Sequence, residues 1–193
     1  EALRKKSRGK FSMVKFAQLK TLAKNTVGRS DAFLLKQMEI TIDIENQLDA
    51  KIDEIESQIL ECIRALNRPI LTIPGIGELT AAIILSEYGN INKFENPAQL
   101  LSFAGLEPGY YQSGLAEHQG HMVKHGSSHL RYALMNACLP LVTYEPVFAE
   151  YYAKKRAEGK PHRVALTHVA KKLLRVIFTL QTKNISYNPT LIR

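Results

Sequence analysis

The chain has 193 residues, 45% of them hydrophobic, and a net charge of +8. That is enough apolar material for one ordinary domain with an appendage, or for two small domains. No apolar run approaches the ~18 residues a membrane span needs, and no signal-peptide core precedes a small-residue cleavage site. The two cysteines, Cys62 and Cys138, form no CxxC pair, which sets aside a zinc site of the usual spacing. Both stand among apolar residues and read as buried free thiols of a reducing compartment. The chain starts at Glu1 rather than Met, as expected of part of a longer protein. Residues 1–30 hold nine Lys/Arg against Glu1, and residues 151–183 hold nine against Glu158. Each end is therefore +8, and a total of +8 leaves −8 on the remainder. Two basic ends around an acidic middle suggest two polyanion-contacting surfaces held apart by a solvated element.

Residues 3–24 read as a basic helix, interrupted at Gly9. Gly28-Arg29-Ser30-Asp31 is a break, and Ser30 or Asp31 can cap the next helix. From Ala32 to about Asn67 there is neither Gly nor Pro. A 4,3 register runs through Leu34, Met38, Thr41, Glu45, Leu48, Ile52, Ile55, Ile59, Cys62 and Leu66. That is a heptad seam broken only at Thr41 and Glu45, on a helix of about 50 Å at ~1.5 Å per residue. Such a seam needs a partner helix. A second copy of the chain fits, giving a homo-oligomer through a coiled coil; residues 3–24 folded back on it also fit.

Pro69 ends the long helix by removing a donor and disfavouring helix at Arg68. A compact helical domain occupies residues 68–183, with helices expected at Gly77–Tyr88, Pro97–Ala104, Ser128–Leu139, Pro146–Ala157 and His162–Gln181. Asn96 is a natural N-cap with Pro97 at the first helical position, and Ser127 or Ser128 caps the next helix. Almost nothing reads as strand, although Gly109–Leu115 suits extended backbone. Residues 184–193 read as a loosely ordered tail. The fold class is all-α: residues 1–67 form a basic helix and a long coiled-coil helix, and the domain after it contains a helix-hairpin-helix.

That hairpin is Ile73-Pro74-Gly75-Ile76-Gly77 with the helix after it. Gly75 and Gly77 permit backbone torsions closed to other residues and leave no side chain in the way. The amides opening the next helix, aided by its dipole, suit a phosphate without base contact, so binding there is not sequence-specific. A polar, glycine-rich connection runs from Gly105 to Ser127. Structureless connections of that length inside a compact domain are usually functional. It carries a hydroxyl beside a glycine (Ser113-Gly114), two aromatics suited to stacking on bases (Tyr110, Tyr111) and cations (Lys124, with Arg131 just beyond). His118, His121, His125 and His129 have ligand-like spacing. Gly120 and Gly126 argue against a continuous helix there, and no metal site is expected. Further on, Lys160, Arg163, Lys171, Lys172 and Arg175 can each neutralise a phosphate.

In order, Ile73-Pro74-Gly75-Ile76-Gly77, Phe94 with Pro97-Ala98-Gln99-Leu100, Phe103-Ala104-Gly105-Leu106-Glu107-Pro108, Gln112-Ser113-Gly114, Gly120-His121, Lys124-His125-Gly126-Ser127, Leu130-Arg131-Tyr132-Ala133-Leu134 and Lys160-Pro161-His162-Arg163 with Ala170-Lys171-Lys172-Leu173 resemble the C-terminal domain of insertion-sequence 110 (IS116/IS110/IS902) transposases. The resemblance implies a DNA strand-exchange role with a serine nucleophile, which falls on Ser113. It implies an RNase H-like acidic domain with Mg²⁺, absent from these residues, and hence no cofactor in this chain and no complete activity alone. It also implies DNA and a structured guide RNA as partners, and a bacterial, nucleoid-associated cytoplasmic location. The alternative that the residues leave open is a non-catalytic DNA- or RNA-binding module that dimerises.

Overall fold

The computed structural model describes residues 11–28, 31–113, 116–122 and 125–191; for 108–113 and 116–122 it describes the backbone. The helices are α1 (Met13–Lys24), α2 (Ala32–Leu66), α3 (Glu78–Tyr88), α4 (Pro97–Phe103), α5 (Ser128–Tyr144), α6 (Pro146–Ala157) and α7 (His162–Lys183). Short 3-10 turns lie at Pro69–Thr72, Ile91–Lys93 and Pro189–Leu191. The all-α class stands, with one addition between α4 and α5. There β1 (Pro108–Ser113) and β2 (Ala116–Met122) pair as an antiparallel two-stranded ribbon. Among the described residues, no helix is long and apolar enough to cross a membrane.

The chain divides into two units, residues 1–51 and 52–193, the division falling within α2. In the first, Ser12 caps α1 by accepting from the Lys15 amide at 3.3 Å, and Lys24 in the last turn complements the helix dipole. Residues 3–10 of the expected basic helix lie outside the described residues. The Asp31 carboxylate accepts from the Phe33 amide at 2.8 Å and so opens α2. Leu34, Met38 and Leu48 of the seam are exposed.

In the second unit α7 is the central helix. Leu166, Val169, Leu173, Val176, Ile177 and Leu180 recur at helical spacing and are buried, against α4, α5 and α6. Helix α2 contributes Ile63, its one buried side chain among those described, while Ile52, Ile55 and Leu66 stay exposed. Asn67, at φ 40°, and the extended Arg68 then turn the chain into the Pro69–Thr72 turn.

Three features differ from the sequence reading. α5 does not stop at Leu139 but runs through Pro140 to Tyr144. An interior proline costs about 3 kcal/mol. Cys138 and Leu141, fully buried on either side of it, contribute a comparable amount or more at ~1.5–3 kcal/mol for a large apolar side chain. Cys62 is exposed because it lies on the seam of α2; Cys138 is buried, and burial pushes its thiol up to about 12. The tail is tied down: the Tyr187 amide donates to Thr72 Oγ1 at 2.7 Å, and its ring packs on the core. Burial, with the neighbouring Glu145 carboxylate, raises the pKa of the Tyr187 hydroxyl.

Candidate nucleic-acid interface

The two glycines of the Ile73–Gly77 turn have different jobs. Gly75 has φ +85°, and a Cβ on it would lie 3.0 Å from the carbonyl carbon of Pro140. The turn therefore rests directly on the backbone of α5, with Ile73 and Ile76 buried on either side. Gly77 has ordinary torsions, φ −74° and ψ 156°, and nothing lies within 4 Å of its would-be Cβ. It is the N-cap of α3, with no side-chain cap. The space beside Gly77 at the N-terminus of α3 is thus open, and the glycine has no packing reason to be one. Glu78, the first residue of α3, is held by Arg64 in a two-point pair of 2.7 and 2.8 Å. That pair lowers the Glu78 pKa and neutralises the carboxylate at that N-terminus.

The ribbon is rooted at the other end of α5. Gly105, at φ 63°, turns the chain out of α4. On the return, Gly126 packs so closely that a Cβ would run into Phe103 O and Gly105 N. The Ser127 amide donates to Phe103 O at 2.7 Å, and Arg131 Nη1 donates to Ala104 O at 3.1 Å. Ser127 Oγ donates to Glu87 Oε2 at 2.6 Å and, as N-cap of α5, accepts from the Leu130 amide at 3.0 Å. Arg131 therefore serves the root of the ribbon. Beside it is an open groove of about 620 Å³ lined by Phe94, Gln99, Phe103, Glu107 and His125. Lys93 Nζ lies over the Phe94 and Phe103 rings, 5.2 and 5.3 Å from their centroids.

Ser113 is the last residue of β1 and pairs with Ala116. At ~3.3 Å per residue, it stands ~16 Å along the strand from Pro108. Tyr110 and Tyr111 lie between them, opposite Gln119 and His118. The side chains of Tyr110, Tyr111 and Ser113, and all of Lys124, lie outside the described residues. The glycine turn and the ribbon root are also apart: from Ser128 to Pro140, α5 rises ~18 Å.

The basic residues converge in part. His168 and Lys171 are half-buried on the outer face of α7, and Arg175 is exposed one turn further on. Burial, then the charges of Lys171, Lys155 and Lys160, lower the His168 pKa. Burial, then Arg175, lower that of Lys171, while Glu107 beside the ribbon opposes them. Lys160, His168, Lys171 and Arg175 thus form one positive face reaching toward the ribbon root, while Lys155 is paired with Glu158 at 2.8 and 3.0 Å and lies over the Tyr151 ring at 5.6 Å. Lys172 is turned away onto the Tyr151 ring at 4.9 Å, and burial lowers its pKa. Arg163, eight positions before Lys171, lies about 80° around the helix from it. The sequence spacing groups His168 with Lys171, Lys172 and Arg175 opposite the apolar stripe of α7, and the structure separates Lys172 from the other three. Lys155 belongs to the Lys154–Arg156 run, but which member turns inward depends on how α6 packs on α7. Among the described residues, no group of three His, Cys, Asp or Glu comes together to hold a metal ion.

Residues 67–153 match the family model described as the transposase IS116/IS110/IS902 family. The chain is similar to an uncharacterized 43.6 kDa protein of insertion element IS110 from Streptomyces coelicolor, with 32% identity over 65% of this chain and 32% of that one. It is similar to a pilin gene-inverting protein of Moraxella bovis, with 31% identity over 74% of this chain and 44% of the relative. It is also similar to the transposase for insertion sequence element IS1111A of Coxiella burnetii, with 28% identity over 80% and 41%. The chain thus spans between about a third and under a half of the length of these curated relatives.

Proposed function

Because residues 67–153 belong to the IS116/IS110/IS902 transposase family, we propose that the chain is the DNA-handling part of a transposase or site-specific recombinase. In this reading, DNA phosphates meet the amides beside Gly77 and the positive face of Lys160, His168, Lys171 and Arg175. Both are contacts to backbone rather than to bases, so they hold DNA without choosing a sequence. A structured guide RNA is a second polyanion suited to the same face. The location is the bacterial cytoplasm, on the nucleoid.

The nucleophile is Ser113. Its Oγ attacks the phosphorus of a DNA phosphodiester. The Oγ–P bond forms as the bond from phosphorus to the leaving deoxyribose oxygen breaks. The serine proton passes to a base, the leaving oxygen takes up a proton, and the phosphoserine ester keeps the energy needed for rejoining. A free deoxyribose hydroxyl reverses the step on a new strand. The carrying observation is the place of Ser113 at the far end of a ribbon whose root is fixed by the Gly105–Gly126 contact. A residue so placed suits a composite site completed by another domain. Among the described residues no three His, Cys, Asp or Glu come together, and no step here runs through Mg²⁺; an RNase H-like domain would hold it.

Self-association through the seam of α2 completes the reading. The second reading is a non-catalytic DNA- or RNA-binding module. It is favoured by the open space at Gly77 before α3 and the cations beside His168, which suit a polyanion without any nucleophile. Strand exchange with Ser113→Ala separates the two: the nucleophile reading requires that exchange be abolished while DNA binding persists.

A further inference from the structure

The last turns of α2 and the outer side of α3 enclose an apolar groove of about 1000 Å³, walled by Ile55, Ile59, Leu66, Leu79 and Ile83. Tyr88, Gln181 and Arg68 also line it. Tyr88 is only 1% exposed. Among the described residues, Tyr88 Oη and Gln181 Nε2 are buried with no hydrogen-bond partner. A buried donor left unpaired costs about 1–3 kcal/mol. Two of them beside an arginine call for an acceptor, and the cation favours an anionic one. The groove thus asks for an apolar helix with a carboxylate at one end.

The N-terminal half of α2 has that form. Phe33, Leu34, Leu35, Met38, Ile40, Ile42 and Ile44 are all exposed. They cover roughly 220° of the helix circumference at ~100° per residue, about twice the stripe that one packing face requires. Such an arc needs two walls, which the groove supplies. At the start of this segment stands the carboxylate of Asp31.

We infer that the N-terminal half of α2 from a second copy of this chain lies antiparallel in the groove between α2 and α3. This rests on the self-association proposed above and fixes its direction. The 4,3 register is symmetric about Ala50, so antiparallel overlap sets Leu34 against Leu66, Met38 against Cys62 and Thr41 against Ile59. It brings Asp31 of the second copy to Arg68, Tyr88 and Gln181. The contact is the same from both sides, as a closed two-fold dimer requires. A parallel pair would face Cys62 with Cys62 and would leave the α3 wall uncovered.

The test is disulfide trapping of the 193-residue chain, with light scattering at the same concentration. Cys138 is buried and its thiol held neutral, so Cys62 is the reporter. Under mild oxidation the wild-type chain gives no Cys62–Cys62 dimer, whereas Met38→Cys gives a covalent dimer whose bridges join positions 38 and 62. One helix cannot close that bridge on itself, because 24 residues span ~36 Å against the ~4.4–6.8 Å that a disulfide allows between Cα atoms. Tyr88→Phe folds normally and raises the dimer dissociation constant about a hundredfold, because the two-fold dimer loses one charge-assisted hydrogen bond at each of its two ends. A Cys62–Cys62 dimer in the wild type overturns the antiparallel groove and keeps self-association. A monomer by light scattering overturns both.

Discussion

Gly75 and Pro140 touch backbone to backbone: a Cβ on Gly75 would sit 3.0 Å from the Pro140 carbonyl carbon, at a φ of +85° that only glycine adopts freely. This contact sets the glycine turn on α5 and separates the roles of two glycines that look alike in the sequence. Gly75→Ala is expected to destabilise the fold by about 2–4 kcal/mol, from strain plus overpacking, read by urea denaturation. Gly77→Asp should do the opposite. Its side chain enters open space at an N-cap, where aspartate is preferred and favours the dipole, so the melting temperature holds or rises. DNA affinity should nevertheless fall for every sequence tried, because the carboxylate occupies the phosphate approach. A Gly77→Asp variant that binds DNA as well as wild type removes the turn from the interface.

The ribbon root makes a second prediction. Gly126→Ala forces a methyl into Phe103 O and Gly105 N, neither of which is a flexible side-chain end. A loss of about 3 kcal/mol or more is expected, with amide exchange rising first at Ser127 and Leu130, which form the adjacent cap.

These glycines show where sequence legibility stops. The start of α4 follows from Asn96 and Pro97, and that of α6 from Pro146, because caps and prolines act locally. The need for glycine at 126 comes from α4, more than twenty residues earlier in the chain, and no local pattern reports it. The continuation of α5 through Pro140 was hidden for the same reason, since a propensity rule cannot weigh the burial of Cys138 and Leu141. Tyr110–Ser113 suits extended backbone already in the sequence, but its partner strand does not, because β2 offers histidines and glutamine instead of an alternating apolar face. The spacing of His168, Lys171, Lys172 and Arg175 puts them together on the side of α7 opposite its apolar stripe. That Lys171 and Arg175 share a face with His168 while Lys172 turns onto Tyr151 depends on how α6 packs against α7.

The positive face predicts salt and charge effects. Lys171→Gln and Arg175→Gln should each reduce the slope of log affinity against log salt by about 0.9 for duplex DNA, without base preference. Lys172→Gln should change it less, since that ammonium is engaged with Tyr151.

His168 supplies a pH signature. Its pKa is lowered in the free fold, chiefly by burial and then by Lys171, Lys155 and Lys160. The unfolded chain therefore binds more protons than the fold, and this group's contribution to stability falls as pH drops through the ordinary histidine range and below it. A bound phosphate favours the charged imidazole, so DNA affinity should rise over the same interval. His168→Asn should flatten both trends, measured by thermal melts and fluorescence anisotropy between about pH 5 and 8. Affinity that falls on acidification would place the DNA elsewhere.

The central claim is that Ser113 carries the covalent step while the rest of the chain holds the DNA. The most direct measurement is strand exchange between donor and target DNA by this chain joined to an RNase H-like domain, with Ser113→Ala beside the wild type and DNA binding measured on both. The account predicts that Ser113→Ala abolishes exchange, forms no covalent protein–DNA adduct and binds DNA unchanged. Exchange that persists in Ser113→Ala, or an adduct mapped to another residue, would contradict it.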